Sequence, residues 1–359
     1  MKLNNTTYRQ ATKEDDKTLR NILKENIMDS WVQISMEREP SYFEGESLMG
    51  KSYSMIVHKK ESVVGMYGCS YLPVYLNLKP ESVGYLGGLR LDKKYRNSFG
   101  YIKNGFKALS SIIPNHATVP FYFTSIASGN VKAKRLLEAN LKGMPTYTKV
   151  GEMMSLVFST RVGEFKNLLV RATKDDILKI VAFYNQEALK YQFSPHLTTK
   201  WLESFAIDNF WLLKDKNQEI KSCFALWDQR EFKQTIIRGY KYHINKIRPL
   251  YNLFAKMTKR VELPKIDEEL GQIFIAFFAF KDCGDDMVLD ILREGAFRAK
   301  KMRAKSCVIG LSSQNPITNM LKKRLKANVY CTDIESVVLD GEKQHIFKNL
   351  IIQPEIALL

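Results

Sequence analysis

The chain repeats itself, and the repeat limits its fold more than any other feature. Residues 8–16 read YRQATKEDD, and residues 170–176 read VRATKDD. Each copy sets Ala-Thr-Lys ahead of acidic residues and then begins an apolar helical pattern. In the first copy that pattern is Leu19, Ile22, Leu23 and Ile27; in the second it is Ile177, Ile180, Val181, Tyr184 and Leu189. A threonine followed by carboxylates marks a helix start, because those oxygens suit the first amides, which have no partners within the helix. A second pair of segments agrees. FYFTSIASGNVKAKRLLEANLKG (121–143) and CVIGLSSQNPITNMLKKRLKANV (307–329) each run strand, Ser-rich turn, Asn, helix, with strand candidates following at 151–158 and 334–339.

The offsets between copies locate an insertion. From Ala11 to Ala172 the offset is 161, and from Asn130 to Asn315 it is 185, so the second copy is longer by 24. The surplus falls in 241–272, KYHINKIRPLYNLFAKMTKRVELPKIDEELGQ, which has no counterpart in the first copy. Two copies of a helix–strand–strand–helix–strand unit predict tandem α/β domains, here 1–162 and 163–359. Such a division suits 359 residues, of which 45% are hydrophobic.

The formal charge is +17, with enrichments at Lys300–Lys305 (KKMRAK) and Lys322–Lys326 (KKRLK). That balance favours an anionic partner such as a phosphorylated cofactor, a nucleic acid or an anionic surface. The longest apolar run, IFIAFFAF (273–280), is too short to cross a bilayer. No apolar segment follows the charges of the N-terminus, so no secretory signal is expected. The five cysteines show no CxxC and no metal spacing, which predicts reduced thiols, a cytoplasmic location and no metal.

The stretch LRLDKKYRNSFGYIKNGF (89–106) begins as a strand, turns through YRNSFGY and opens a helix. The first amides of a helix suit a phosphate, and Arg96, with Lys93, Lys94 and Lys103 around it, adds positive charge. With the order of elements, this turn resembles the GNAT superfamily of acyl-coenzyme A-dependent N-acyltransferases, present twice. Tyr95-Arg96 matches the family's Tyr-Arg; Phe99 and Tyr101 stand where small residues are usual, and Gly100 is the turn's one glycine. The resemblance implies two domains, each a mixed, largely antiparallel twisted sheet flanked by helices. It implies acetyl-CoA or another acyl-CoA as co-substrate, held by Leu89, Leu91, Arg96, Asn97, Ser98, Phe99, Gly100, Tyr101 and Asn130. For Asn130, capping of the following helix is an equally good account. In the second copy Asp282, Asp285 and Asp286 occupy the corresponding turn, where carboxylates repel a diphosphate. One domain is therefore expected to bind coenzyme A and the other to support or close the substrate pocket.

The family's strand before this turn is splayed, and Gly87 and Gly88 in GYLGGLRL permit such a splay or bulge. The family's acid is a tyrosine after Asn-x-x-Ala-x-x-Leu, but Leu137 stands there. Tyr147 is the substitute and Glu81 the base candidate, with Glu152 beside it; each also reads as a packing or strand-end residue. Some tandem members bring the terminal carboxylate into the site, which would be Leu359 here. Trp31, Ile34, Met36, Tyr42 and Phe43 occupy the region that lines the acceptor site in this family.

The expected activity is transfer of an acyl group, acetyl first, to a primary amine of a small molecule or peptide. Two alternatives remain. One is a Fem-type aminoacyl-tRNA-dependent transferase, to which the basic charge would answer, though the pyrophosphate turn speaks against a nucleic-acid partner. The other is a non-catalytic ligand-binding protein with two degenerate copies.

Overall fold

The computed structural model describes every residue except Met1, Asn4, Asp29, 96–98, Asn140 and 340–346. The first half contains β1 (Lys2–Leu3), β2 (Thr6–Gln10), α1 (Asp16–Glu25), β3 (Val32–Glu37), β4 (Lys51–Lys59) and β5 (Ser62–Leu76). It continues with β6 (Lys79–Leu91), α2 (Phe99–Ile112), β7 (Tyr122–Ala127), α3 (Val131–Leu137) and β8 (Thr146–Ser159). The second half begins with β9 (Leu169–Arg171), α4 (Ile177–Ala188), β10 (Tyr191–Gln192), α5 (Thr199–Ser204), β11 (Phe210–Lys214) and β12 (Ile220–Trp227). After these come β13 (Gln234–Tyr240), α6 (Ile244–Met257), β14 (Gln272–Phe280), α7 (Asp285–Lys301) and β15 (Ser306–Ser312). The chain closes with α8 (Thr318–Arg324), β16 (Asn328–Val338) and β17 (Ile351–Ile352).

The repeated Thr-Lys-acid segments fold alike. Thr12 and Thr173 share φ −120° and ψ 173°, and each makes a capping box with the aspartate three residues on. Arg9 then grips Asp15 through two 2.7 Å bonds, and Lys214 holds Asp176 at 2.6 Å. Burial or pairing of these aspartates fixes where α1 and α4 enter. Asp285 and Asp286 in the first turn of α7, with Arg298, Lys300 and Lys301 in its last, complement the helix dipole.

Thirteen strands form one sheet in the order β1-β2-β4-β5-β6-β7-β16-β8-β15-β14-β12-β11-β9. Apart from β1, the order is the same read from either end when each strand is exchanged for its repeat. The two halves have swapped their last strands: β16 lies between β7 and β8, and β8 between β16 and β15. The division at 162/163 thus cuts the chain but not the sheet. Within this sheet only β6–β7 and β14–β15 are parallel. In the first half, α2 and α3 cover one face around Met55, Leu86 and Leu91, and α1 covers part of the other around Ile56 and Met66. In the second half, α7 and α8 cover one face, and α4 and α5 the other. The inserted segment 241–272 supplies α6, and β13 before it pairs with β3 as a ribbon outside the main sheet.

Candidate functional site

β6 and β7 lie side by side only at Gly84–Tyr122, Tyr85–Phe123 and Leu86–Thr124. Beyond Leu86 they part, β6 staying with β5 and β7 with β16, so a wedge opens between them. At the wedge β6 bulges. Gly68 opposes Gly87 and Met66 opposes Arg90, which leaves Gly88 and Leu89 facing Tyr67 alone. Gly88 has φ +67°, a left-handed conformation that a glycine takes without steric cost. Gly88 is exposed, and Leu89 is 39% exposed. Strand β6 is therefore accessible at Gly88 and Leu89, two and three residues past its last contact with β7.

The sheet face beside the wedge is lined by small residues. Ser54, Gly68 and Gly87 stand in register across β4, β5 and β6, and Ser52, Ser70 and Tyr85 form the next row. Residues in register share a face, as do alternate residues along a strand. The apolar cover of α1 ends at Ile56 and Met66, and another apolar cluster begins at Leu72 and Val83. Between them lies a strip of serine and glycine, a groove about 10 Å wide by strand spacing.

Charged and hydroxyl groups gather at one end of that strip. The Tyr42 hydroxyl and Ser54 Oγ are 3.0 Å apart, and Ser54 Oγ donates to Glu46 Oε1 at 3.5 Å. Burial raises the Glu46 carboxyl above its ordinary range, against the opposing pull of Arg38 at 3.8 Å and of Ser54. Burial likewise raises Tyr42, while Arg38 and Arg90 act to lower it. Arg38 stacks on the Tyr42 ring at 4.8 Å. Lys233 donates to a main-chain oxygen of Leu359, the last residue of the sequence, at 2.8 Å, and burial, with Arg38 nearby, pushes its amine down to about 7. Near the wedge itself, the Tyr85 and Ser125 hydroxyls meet at 2.8 Å, tying β6 to β7.

The residues expected from sequence fall into separate groups. Leu89 lies at the bulge and Leu91 is buried just beyond it. Helix α2 starts at Phe99; Phe99 and Tyr101 are half-buried against the α2-side core. A Cβ added at Gly100 would meet no heavy atom of the described residues within 4 Å, so this position of the first turn is open. Lys59 sits over the Tyr95 and Tyr101 rings at 4.6 and 5.9 Å, bringing one more cation to the turn. Arg96, Asn97 and Ser98 lie outside the described residues. Asn130 caps α3, accepting from the Ala133 amide at 3.2 Å.

Glu81 is not brought to the wedge. β6 begins at Lys79, so Glu81 sits at its far end, roughly 25 Å from Leu89 along the strand. There it accepts from Thr118 Oγ1 at 2.5 Å. Tyr147 is also separate: β8 starts at Thr146, which turns Tyr147 into the core against Phe106, and burial, then the Glu335 carboxylate, raises its phenol. Glu152 lies farther along β8, opposite Asp333 and near Lys149. Tyr42 does border the groove, whereas Trp31 is 72% exposed at the start of β3. Sequence reasoning missed Glu46, Ser54, Gly68 and Lys233. A signal existed in the pairs of small residues at i and i+2, Ser52/Ser54 and Gly68/Ser70, in strands otherwise apolar.

The second half has the same wedge, filled. β14 and β15 pair only from Gln272–Ser306 to Phe274–Val308. The bulge recurs with Phe277 and Phe278 facing Phe224, and Phe277 takes φ +55°. The row matching Ser54–Gly68–Gly87 is Phe210–Ala225–Ala276. Phe277 is buried among Tyr184, Trp201, Phe205, Phe210 and Trp227. The Phe277 amide donates to Glu355 Oε2 at 2.7 Å and the Ala357 amide to Glu355 Oε1 at 3.1 Å. Burial pushes this carboxyl up to about 7. A cavity of about 340 Å³ remains beside it, lined in part by Glu187, Lys190, Tyr191, Lys281 and Asn315.

No family model matches this sequence, and neither does any curated protein. Among solved structures, the Saccharomyces cerevisiae N-myristoyltransferase with bound myristoyl-CoA superposes at TM-score 0.60. The alignment covers 93% of this chain and 83% of that one, at 10% identity. The chain shares the N-myristoyltransferase fold. A second crystal structure of the yeast enzyme with myristoyl-CoA gives TM-score 0.59 over 95% of this chain and 80% of that one, again at 10% identity. The likeness of fold extends over nearly the whole chain, and the two-copy order of elements expected from the repeat is the one observed. Among the described residues no cluster of His, Cys, Asp and Glu is arranged for a metal, and no helix is long and apolar enough to cross a membrane.

Proposed function

We propose that this protein is an acyl-CoA-dependent N-acyltransferase whose donor binds residues 1–162. The observation that carries the reading is the open wedge at Gly87–Leu89, followed ten residues after Leu89 by the start of α2, open at Gly100. The yeast enzyme of the same fold was crystallised with an acyl-CoA, myristoyl-CoA. In this reading the pyrophosphate lies on the first turn of α2, with Arg96 and Lys103 supplying charge. The pantetheine arm runs through the wedge, and a backbone N–H at Leu89 receives the thioester oxygen. The acceptor amine lies in the Ser54–Gly68–Gly87 groove, near Glu46.

The chemistry needs no covalent enzyme intermediate. The amine gives its proton to the Glu46 carboxylate, and its nitrogen attacks the thioester carbonyl carbon. The carbonyl oxygen takes up the negative charge and then re-forms the C=O bond as the C–S bond breaks; the coenzyme thiolate leaves and takes a proton from solvent, and Glu46 returns its own proton to solvent. A carboxyl with a raised pKa is a better proton acceptor than an ordinary glutamate.

The test is ligand binding followed by turnover. Acetyl-CoA, or a longer acyl-CoA, should raise the melting temperature, since a ligand bound only by the folded state stabilises it. Replacing Arg96 and Gly100 with Glu and Val should remove that shift. Thiol release with a panel of small amines and peptides bearing a free N-terminus then identifies the acceptor. Glu46→Gln should lower kcat about 100-fold and flatten the acid limb of its pH profile. Absence of any acyl-CoA shift, together with salt-sensitive tRNA binding, would replace this reading with an aminoacyl-tRNA-dependent one.

A further inference from the structure

Helix α6 is amphipathic the wrong way round. Residues 244, 248, 251, 252 and 255 lie on one face, and that face packs on the protein. Only Ala255 in it is fully buried; the rest of the docking is polar. Asn252 exchanges two hydrogen bonds with Leu263, at 2.8 and 2.9 Å. Arg248 donates to the Leu263 carbonyl at 3.3 Å, and the Tyr251 hydroxyl donates to the Val261 carbonyl at 3.2 Å. The opposite face carries Ile247, Leu250, Leu253, Phe254 and Met257, all exposed, Leu250 at 72% and Met257 at 78%. At 100° per residue these five span an arc of about 120°, an apolar stripe entered by one cation, Lys246, near its N-terminal end. Two exposed aromatics, Trp31 and Tyr242, stand at its N-terminal end, where the Lys241 amide donates to the Trp31 carbonyl at 3.0 Å.

The charge around the stripe has one sign. Residues 241–260 hold Lys241, Lys246, Arg248, Lys256, Lys259 and Arg260 and not one carboxylate. Lys326 donates to the Thr258 carbonyl at 3.0 Å, which sets the basic run 322–326 beside the end of α6. Two carboxylates reach the packed side of α6: Glu262, held by Arg161, lies 3.8 Å from Lys256, and Glu268 faces Arg248. An exposed apolar helix face, bordered by lysines and tipped with Trp and Tyr, has the composition of a helix that lies in a membrane interface. The lysine and arginine excess complements anionic headgroups and matches no feature of a neutral surface.

We propose that α6, with Trp31 and Tyr242, docks the protein on the surface of an anionic lipid bilayer. The apolar stripe enters the headgroup–acyl boundary and the flanking cations meet lipid phosphates and carboxylates. This inference is independent of the transfer reaction.

The experiment is co-sedimentation of the full chain with vesicles of phosphatidylcholine alone or mixed with phosphatidylserine. Wild type should sediment with the mixed vesicles, less so at high salt and least with phosphatidylcholine alone. Leu250→Glu with Phe254→Glu should reduce the bound fraction about tenfold or more, with no change in melting temperature, because both side chains are exposed. Lys256→Glu with Lys259→Glu, a second surface pair, should do the same. Failure of wild type to sediment at low salt overturns the proposal, as does equal sedimentation of both variants. A wild type that forms dimers in solution, dissociated by Leu250→Glu with Phe254→Glu, also overturns it and assigns the stripe to a second copy.

Discussion

Gly88 and Phe277 occupy the same bulge in two copies of one fold, and they leave it in opposite states. At Gly88 the left-handed backbone carries no side chain, and the neighbouring row is Ser54, Gly68 and Gly87. At Phe277 the same backbone carries a ring buried in an aromatic cluster, above Phe210, Ala225 and Ala276. The accessible backbone of the first bulge is matched in the second by an amide already bound to Glu355. The fold therefore supplies the wedge twice, and side-chain volume decides which copy can take a ligand. A bulge kept open by glycine costs packing that the second copy has recovered.

Making the first copy resemble the second should have the largest effect. Gly88→Phe is expected to reduce acyl transfer about 100-fold or more by blocking the wedge, with about 1–2 kcal/mol of left-handed strain visible in urea unfolding. Undiminished turnover of this variant would break the comparison. Glu355→Gln probes the plug of the second copy. Its folded pKa of about 7 lies above the value near 4.3 of an unfolded glutamate. Wild type is therefore fully stabilised below the unfolded value, loses stability as pH rises towards 7, and changes no further above it. The variant lacks that loss, so at pH 8 it should gain on wild type by up to about 3 kcal/mol relative to pH 4.

Phe277→Gly empties the second bulge. Loss of the buried ring outweighs relief of strain, and stability should fall by about 2–3 kcal/mol while turnover per folded molecule is retained. The smallest effect separates the two asparagines of the repeat. Asn130→Ala should cost about 1 kcal/mol, the value of a helix cap. Asn315→Ala, which removes a buried bond of 2.8 Å to Gln353, should cost about 2 kcal/mol. Equal costs would show that the two copies use this residue alike.

Much of this could be read from the chain because it is local. The paired Thr-Lys-acid segments announced two capping boxes, and Gly87-Gly88 announced the bulge, since a positive φ in an exposed strand favours glycine. Phe277 defeats that logic: tertiary burial holds a phenylalanine in the same conformation, and no local pattern reveals it. The groove escaped because Ser54, Gly68 and Gly87 meet only through cross-strand register. Glu81 and Tyr147 take the strand-end and packing places that their sequence positions also allowed. β6 and β8 begin several residues earlier than their apolar patterns, which draws Glu81 into the start of one strand and turns Tyr147 inward on the other.

The exchanged strands β8 and β16 carry a mechanical consequence. Each half needs a strand from the other to finish its own hydrogen-bond ladder, so the halves cannot part like the shells of a clam without tearing the sheet. Access to the wedge must then come from side chains at its rim, while the central sheet stays still. Unfolding should likewise be a single event, with neither repeat surviving alone once the crossing is undone.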